Sequence, residues 1–190
     1  MARNIIYVDG SVGVGKTTFI NILESCFKTT LREMESNRKR QYCYNVEVLP
    51  EPLHRDWTQQ IVDGLGDYRQ LLNFLHVRKK VAIENWSRKI AADGLQELEH
   101  NVLIVERSPD GDSVVREGNT DYKDDIVYTG ECVKYILLVN DKVSNDEQNR
   151  LRKVYDELRR DDVAVVLERP SSIVGYFEYA QIVVRSILGV

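Results

Sequence analysis

The residues Gly10-Ser11-Val12-Gly13-Val14-Gly15-Lys16-Thr17 follow the pattern G-x-x-x-x-G-K-[ST] at every fixed position. Glycines let the backbone curl so that successive N–H groups face inward onto phosphate oxygens, and a following helix adds the positive end of its dipole. The amides of Gly10, Ser11, Val12, Gly13, Val14, Gly15, Lys16, Thr17 and Thr18 are therefore expected to cradle a nucleotide. The Lys16 ammonium is expected to reach the β- and γ-phosphates. The Thr17 hydroxyl is a hard oxygen donor suited to a magnesium ion shared with those phosphates, which points to ATP with Mg2+.

Such a loop works only between a strand and a helix, and the surrounding pattern supplies both. Ile5-Ile6-Tyr7-Val8 is a short apolar run, as in a strand buried on both faces. From Thr17 to about Thr30, Phe19, Ile20, Ile22, Leu23 and Phe27 recur at helical spacing, with Arg32 to Arg40 read as loop or frayed end. Further strands are expected at Tyr44–Leu49, Asn101–Val105, Tyr135–Val139 and Val163–Leu167. Helices are expected at Tyr68–Leu95, where Leu71, Leu75, Ala82, Trp86 and Ile90 share a face, at Asp146–Arg160 and at Ile173–Leu188. Five short strands alternating with helices predict an α/β fold of the P-loop NTPase type, a parallel five-stranded sheet with helices on both faces. Residues 1–190 read as one domain, with no linker dividing them and the stretch Gly111–Gly130 as loop with at most one helical turn.

In an open parallel sheet ligands collect outside the carboxyl ends of the strands. Two runs end there in glutamate: Leu49-Pro50-Glu51-Pro52-Leu53-His54-Arg55-Asp56-Trp57 and Glu106-Arg107-Ser108-Pro109-Asp110. A carboxylate facing a γ-phosphate can take the proton of an attacking hydroxyl, and an arginine beside it can stabilise charge on the transferred group. The pattern suits phosphoryl transfer to an alcohol. Glu51 could equally be a turn residue, Glu106-Arg107 a surface ion pair, and Trp57 part of the core.

DGSVGVGKTT, PEPLHRDW and VERSPD together resemble, in order, the motifs of the deoxynucleoside kinase family, including its viral thymidine kinase members. The resemblance spans Asn4 to about Leu167. It implies Glu51 as general base for a nucleoside 5′-hydroxyl and Trp57 in the nucleoside site. It also implies Glu106 as a magnesium ligand beside Thr17, and Arg107, with Lys16, on the reacting groups. A lid over about 141–160 is implied, with Arg150 and Arg152 brought onto the phosphates; a solvated charged helix face is the competing reading. Tyr68 is implied at the sugar, and the base reader is one of Gln70, Asn73 or His76. Residues 107–134 are fewer than the family commonly carries between the corresponding strands, so the base preference stays open, with thymidine or another pyrimidine deoxynucleoside favoured. The family commonly forms homodimers, for which the helix from Tyr68 is a candidate surface.

Composition bounds the partners. With 43% hydrophobic residues and a net charge of −4 the chain is not of disordered type. The 26 Lys and Arg against 30 Asp and Glu leave no basic footprint for duplex nucleic acid or an anionic membrane, so phosphate must be held locally. Cys26, Cys43 and Cys132 are too scattered for a disulfide framework or a zinc site. No apolar run approaches the ~20 residues of a membrane span, and the run near the N-terminus is too short for a signal-peptide core. A soluble, cytoplasmic protein is expected.

Two other functions compete. A nucleoside monophosphate kinase of thymidylate kinase type shares the phosphate loop and a proline-flanked acidic turn, but needs a cation for the acceptor's phosphate, for which His54 and Arg55 are the candidates. A nucleotide-dependent switch would be expected to carry N-K-x-D after a strand, and Asn140-Asp141-Lys142-Val143 does not match it.

Overall fold

A computed structural model describes residues 2–38, 44–51, 68–92, 100–108, 111, 132–142, 145–158 and 164–190. Five strands, β1 (Ala2–Gly10), β2 (Tyr44–Leu49), β3 (His100–Glu106), β4 (Cys132–Val139) and β5 (Ala164–Glu168), form one parallel sheet in the order β2-β3-β1-β4-β5. The helices among the described residues are α1 (Lys16–Arg38), α2 (Tyr68–Ala92), α3 (Asp146–Leu158) and α4 (Ile173–Leu188).

The two-residue period of a strand sorts the side chains between two layers. Ile6 and Val8 of β1, Val102 and Ile104 of β3, and Ile136 and Leu138 of β4 pack with Phe19, Leu23, Phe27 and Leu31 of α1 and Tyr176, Ala180 and Val184 of α4. Ile5, Tyr7, Leu103 and Val105 face the other way, onto Ile83, Trp86 and Ile90 of α2. Leu137 and Val139 pack on Leu151 and Tyr155 of α3. Strands buried on both faces read as continuous apolar runs, which is why the run at Ile5–Val8 marks a central strand. The layering follows the right-handed crossover: the chain moves outward from β1 to β2 with α1 on one face, and back across the sheet with α2 and α3 on the other.

The strands differ from the sequence reading by up to three residues at their ends, and two helices differ more instructively. Helix α1 runs to Arg38, well past Thr30, because Leu31 and Met34 continue the apolar spacing of Phe27 and remain against the core. On α2 the buried stripe is Ile83, Trp86 and Ile90, with Ala82 only partly covered, a shift of one residue toward the branched side chain with more area to bury. Leu71 and Leu75 carry no described side chains, and 93–95 and 159–160 lie outside the described residues. Helix α4 keeps its expected bounds. Ser172 caps it, accepting from the Gly175 N–H, and Gly189 closes it in the left-handed region with its N–H on the Arg185 carbonyl. Among the described residues no helix is long and apolar enough to cross a membrane.

The crossover that leaves β1 runs outward to β2, whereas the one that leaves its neighbour β3 runs the opposite way, past β1 to β4. The crevice at the carboxyl end of β1 is thus the topological switch point where such sheets bind ligands.

Candidate active site

At that crevice the chain leaves β1 through Gly10, at φ 151°, where a Cβ would come within 2.7 Å of the Leu138 carbonyl. It enters α1 through Gly15, at φ 103°, where a Cβ would run into the Tyr176 hydroxyl. Both positions need glycine, one for closeness to β4 and both for backbone angle. Tyr176 in turn donates to the Val14 carbonyl at 3.4 Å, so α4 forms a wall behind the loop. Val14 N–H closes a turn on the Ser11 carbonyl, while Val12 stands exposed at the tip.

Lys16 is buried at the first turn of α1, its Nζ donating to the carbonyls of Gly10 at 3.1 Å and Ser11 at 3.3 Å. Burial pulls this ammonium below the ordinary lysine value of 10.5, and Arg107 pushes the same way, while Glu51, Glu106 and Asp9 oppose. A phosphate in the loop would supply the missing negative charge. Thr18 is exposed beside it.

The strand register brings the acidic ends together. Val8 is level with Glu106 and Leu49 with Val105, so the turn after β2 meets the turn after β3 beside the phosphate loop. The Glu106 carboxylate accepts the Thr17 hydroxyl at 2.9 Å through Oε1 and the Glu51 backbone N–H at 3.2 Å through Oε2. Arg107 Nε donates to Glu51 Oε1 at 2.9 Å, and its Nη1 to Glu147 Oε1 at 3.4 Å from the first turn of α3. The Arg107 side chain is only 3% exposed, against 24% for Glu51, so the cation is sunk while the carboxylate it grips stays partly open to solvent. The Arg107 backbone has φ 68°, a region a non-glycine residue enters only when its neighbours hold it there. Its own N–H donates to the Val8 carbonyl at 2.9 Å, and its carbonyl accepts the buried Lys79 Nζ at 3.1 Å.

The sequence-named residues divide as follows. Lys16, Thr17, Glu51, Glu106 and Arg107 come together within hydrogen-bond networks at one crevice. Arg152 instead donates to Asp141 at the surface, and Arg150 is partly covered with its Nε buried. Arg152 is thus engaged away from the loop, and α3, which occupies most of the segment expected as a lid, is tied to the sheet by Leu151 and Tyr155. The start of α3 is further fixed by Asn145, whose side chain caps the Gln148 N–H, and by Gln148, whose amide exchanges two hydrogen bonds with the Asn140 backbone. Tyr68, Gln70, Asn73 and His76 fall in the first turns of α2, with side chains outside the described ones. Trp57, His54 and Arg55 lie outside the described residues.

Several residues of the site escaped the sequence reading. Arg169 donates to the Gly13 carbonyl at 3.4 Å, and its position one residue after β5 obeys the same strand-end rule that found Glu106. Glu147 and Lys79 sit on helices, where no pattern separates them from solvated charges. Asp9, fully buried, follows an apolar run that looks merely terminated by it.

No protein-family model matches the chain, and no curated protein matches it. Among solved structures, the thymidylate kinase from Ehrlichia chaffeensis is similar over 100% of both chains, at 16% identity and a TM-score of 0.56. The likeness is one of fold: five parallel strands flanked by helices, with the phosphate loop after the central strand, is the α/β fold of P-loop NTPases.

Proposed function

We propose that the chain is a phosphotransferase that moves the γ-phosphoryl group of ATP to the 5′-hydroxyl of a nucleoside, with a pyrimidine deoxynucleoside favoured. The observation that supports this reading is the Glu51 carboxylate held by the Arg107 guanidinium beside Thr17, Glu106 and Lys16. A neutral hydroxyl must lose a proton to become a nucleophile, and Glu51 is a carboxylate with access to the crevice.

The oxygen set formed by Thr17 and Glu106 fits magnesium, which is content with one or two protein oxygens when phosphates and water complete its shell. Bound there with ATP, the ion would neutralise charge on the β- and γ-phosphates. In the transfer, the 5′-oxygen forms its bond to the γ-phosphorus as the bond to the β-bridging oxygen breaks. Glu51 receives the hydroxyl proton, and ADP leaves. Lys16 and Arg107 offset the charge on the transferred group, so positioning and electrostatics supply most of the rate.

A second reading, phosphorylation of a nucleoside monophosphate, draws support from the fold likeness to a thymidylate kinase. Its acceptor is already an anion and needs no base, but must approach Glu51, Glu106 and Glu147. ADP release measured with thymidine, deoxycytidine, purine deoxynucleosides and dTMP decides between them. Turnover with nucleosides supports the first reading; turnover with dTMP alone replaces it with the second; hydrolysis without any acceptor removes both.

A further inference from the structure

We propose that Asp9 is a positioning residue, acting through Ser108 to hold Arg107 in the conformation that grips Glu51. This rests on the phosphotransferase reading above. Asp9 is the last residue before Gly10 and is fully buried; its hydrogen bonds go to Ser108 and Tyr155, and its charge is the smallest of the influences on Lys16. Its Oδ1 accepts the Ser108 N–H at 2.9 Å. Its Oδ2 accepts both the Ser108 hydroxyl at 2.5 Å and the Tyr155 hydroxyl at 2.7 Å. Ser108 Oγ is itself the acceptor for the Gly111 N–H at 2.8 Å.

The arrangement has a mechanical reading. Arg107 stands at φ 68° between two amides, its own and that of Ser108, and both are tied to the end of β1, one by the Val8 carbonyl and one by Asp9. A residue forced into the left-handed region relaxes unless it is held on both sides. Relaxation would swing the guanidinium away from Glu51 without touching the phosphate loop. A burial that leaves a carboxylate with three neutral donors is costly unless each donor is well placed, so the network fixes the turn tightly. Gly111 adds a steric limit: a Cβ there would collide with the Asp9 carboxylate.

Four variants test this: Asp9→Ala, Asp9→Asn, Tyr155→Phe and Gly111→Ala. Each is assayed for kcat, for KM toward ATP and, by 15N-edited NMR, for the Arg107 Nε–H signal whose exchange is slowed by the bond to Glu51. Asp9→Ala is expected to lower kcat about 10²-fold, the scale of a misplaced catalytic group, with KM for ATP within about 3-fold of wild type. The Nε–H signal should lose its protection. Asp9→Asn retains an oxygen for the Ser108 N–H, and the two hydroxyls can turn to accept its amide, so it should recover most of kcat. Tyr155→Phe should be milder than Asp9→Ala, and Gly111→Ala should mimic it from outside the crevice.

Unchanged kcat and NMR signal in Asp9→Ala overturn the proposal. So does parallel loss of kcat and ATP affinity that Asn does not rescue, because that is what a merely structural role gives. Should Asp9→Ala fail to fold, the contrast of an active Asp9→Asn with a kcat-impaired Gly111→Ala carries the same test. A wild type inert toward every acceptor counts against the phosphotransferase reading, while the NMR signal still decides the role of Asp9.

Discussion

Glu51 and Arg107, 56 residues apart in the chain, are joined by a bond of 2.9 Å from a buried guanidinium to a half-covered carboxylate. The parallel register of β2 on β3 makes the pair, since it sets the two strand ends level. The consequence is a carboxylate with one oxygen engaged by a fixed cation while about a quarter of its side chain stays exposed.

Glu51→Gln should therefore keep the Arg107 contact through its amide oxygen while losing the base. With a nucleoside acceptor kcat is expected to fall at least about 10²-fold, with nucleoside binding by calorimetry preserved. With dTMP, which has no hydroxyl proton to give up in the transfer, the fall should be much smaller. Near-normal turnover of nucleosides by the variant would remove Glu51 from the role.

Arg107→Lys should be far from conservative. One ammonium cannot reproduce a planar fork that meets Glu51 through Nε and Glu147 through Nη1. Loss of one partner from a buried pair costs about 3–5 kcal/mol in the extreme, and here lysine softens this by keeping the charge. The expected result is a kcat reduced by about 10²-fold or more, with ATP affinity changed less, read from steady-state kinetics and nucleotide titration.

The Lys16 ammonium titrates below 10.5 because burial and Arg107 disfavour its charge. The sign follows directly. The folded chain holds this proton less tightly than the unfolded chain, so Lys16 costs stability below its folded value, and the cost disappears as pH rises to the unfolded value. Phosphate binding favours the charged form and takes up a proton where the free site has lost it. ATP affinity should thus fall with rising pH on the alkaline side, starting below 10.5. Calorimetry in buffers of different ionisation enthalpy should detect proton uptake, and Lys16→Ala should remove both the uptake and most transfer. A pH-independent affinity with no uptake would contradict this.

Gly15→Ala should damage the loop on two counts, a φ of 103° and a collision with the Tyr176 hydroxyl. Pairing it with Tyr176→Phe removes only the second. The double variant is expected to regain part of the ATP binding lost by the single one, and the part it does not regain measures the backbone strain. Equal loss in both variants would mean that the hydroxyl imposes no limit.

Much of this was legible in the residues, for identifiable reasons. Strands buried on both faces leave unbroken apolar runs, so Ile5–Val8 and Asn101–Val105 declared themselves, and the phosphate loop follows from spacing alone. Glu51, Glu106 and Arg107 were found because the strand-end rule converts a one-dimensional position into a three-dimensional one. What escaped was tertiary. The packing of α3 on the sheet brings Tyr155 to Asp9 across 146 positions. Arg152 looks like a phosphate ligand in sequence, yet the packing of α3 turns it to Asp141. Charges on helices carry no mark of which will be buried, so Lys79 and Glu147 could not be told from their solvated neighbours.

The wall that Tyr176 builds behind Val14 and Gly15 has a consequence for biosynthesis. All eight residues of the phosphate loop are synthesised before the helix they lean on, which follows the five described strands of the sheet. A nascent chain halted before residue 173 would carry the complete binding motif without its backing. Nucleotide capture should then mark the docking of α4, making occupancy of the loop a reporter of that step.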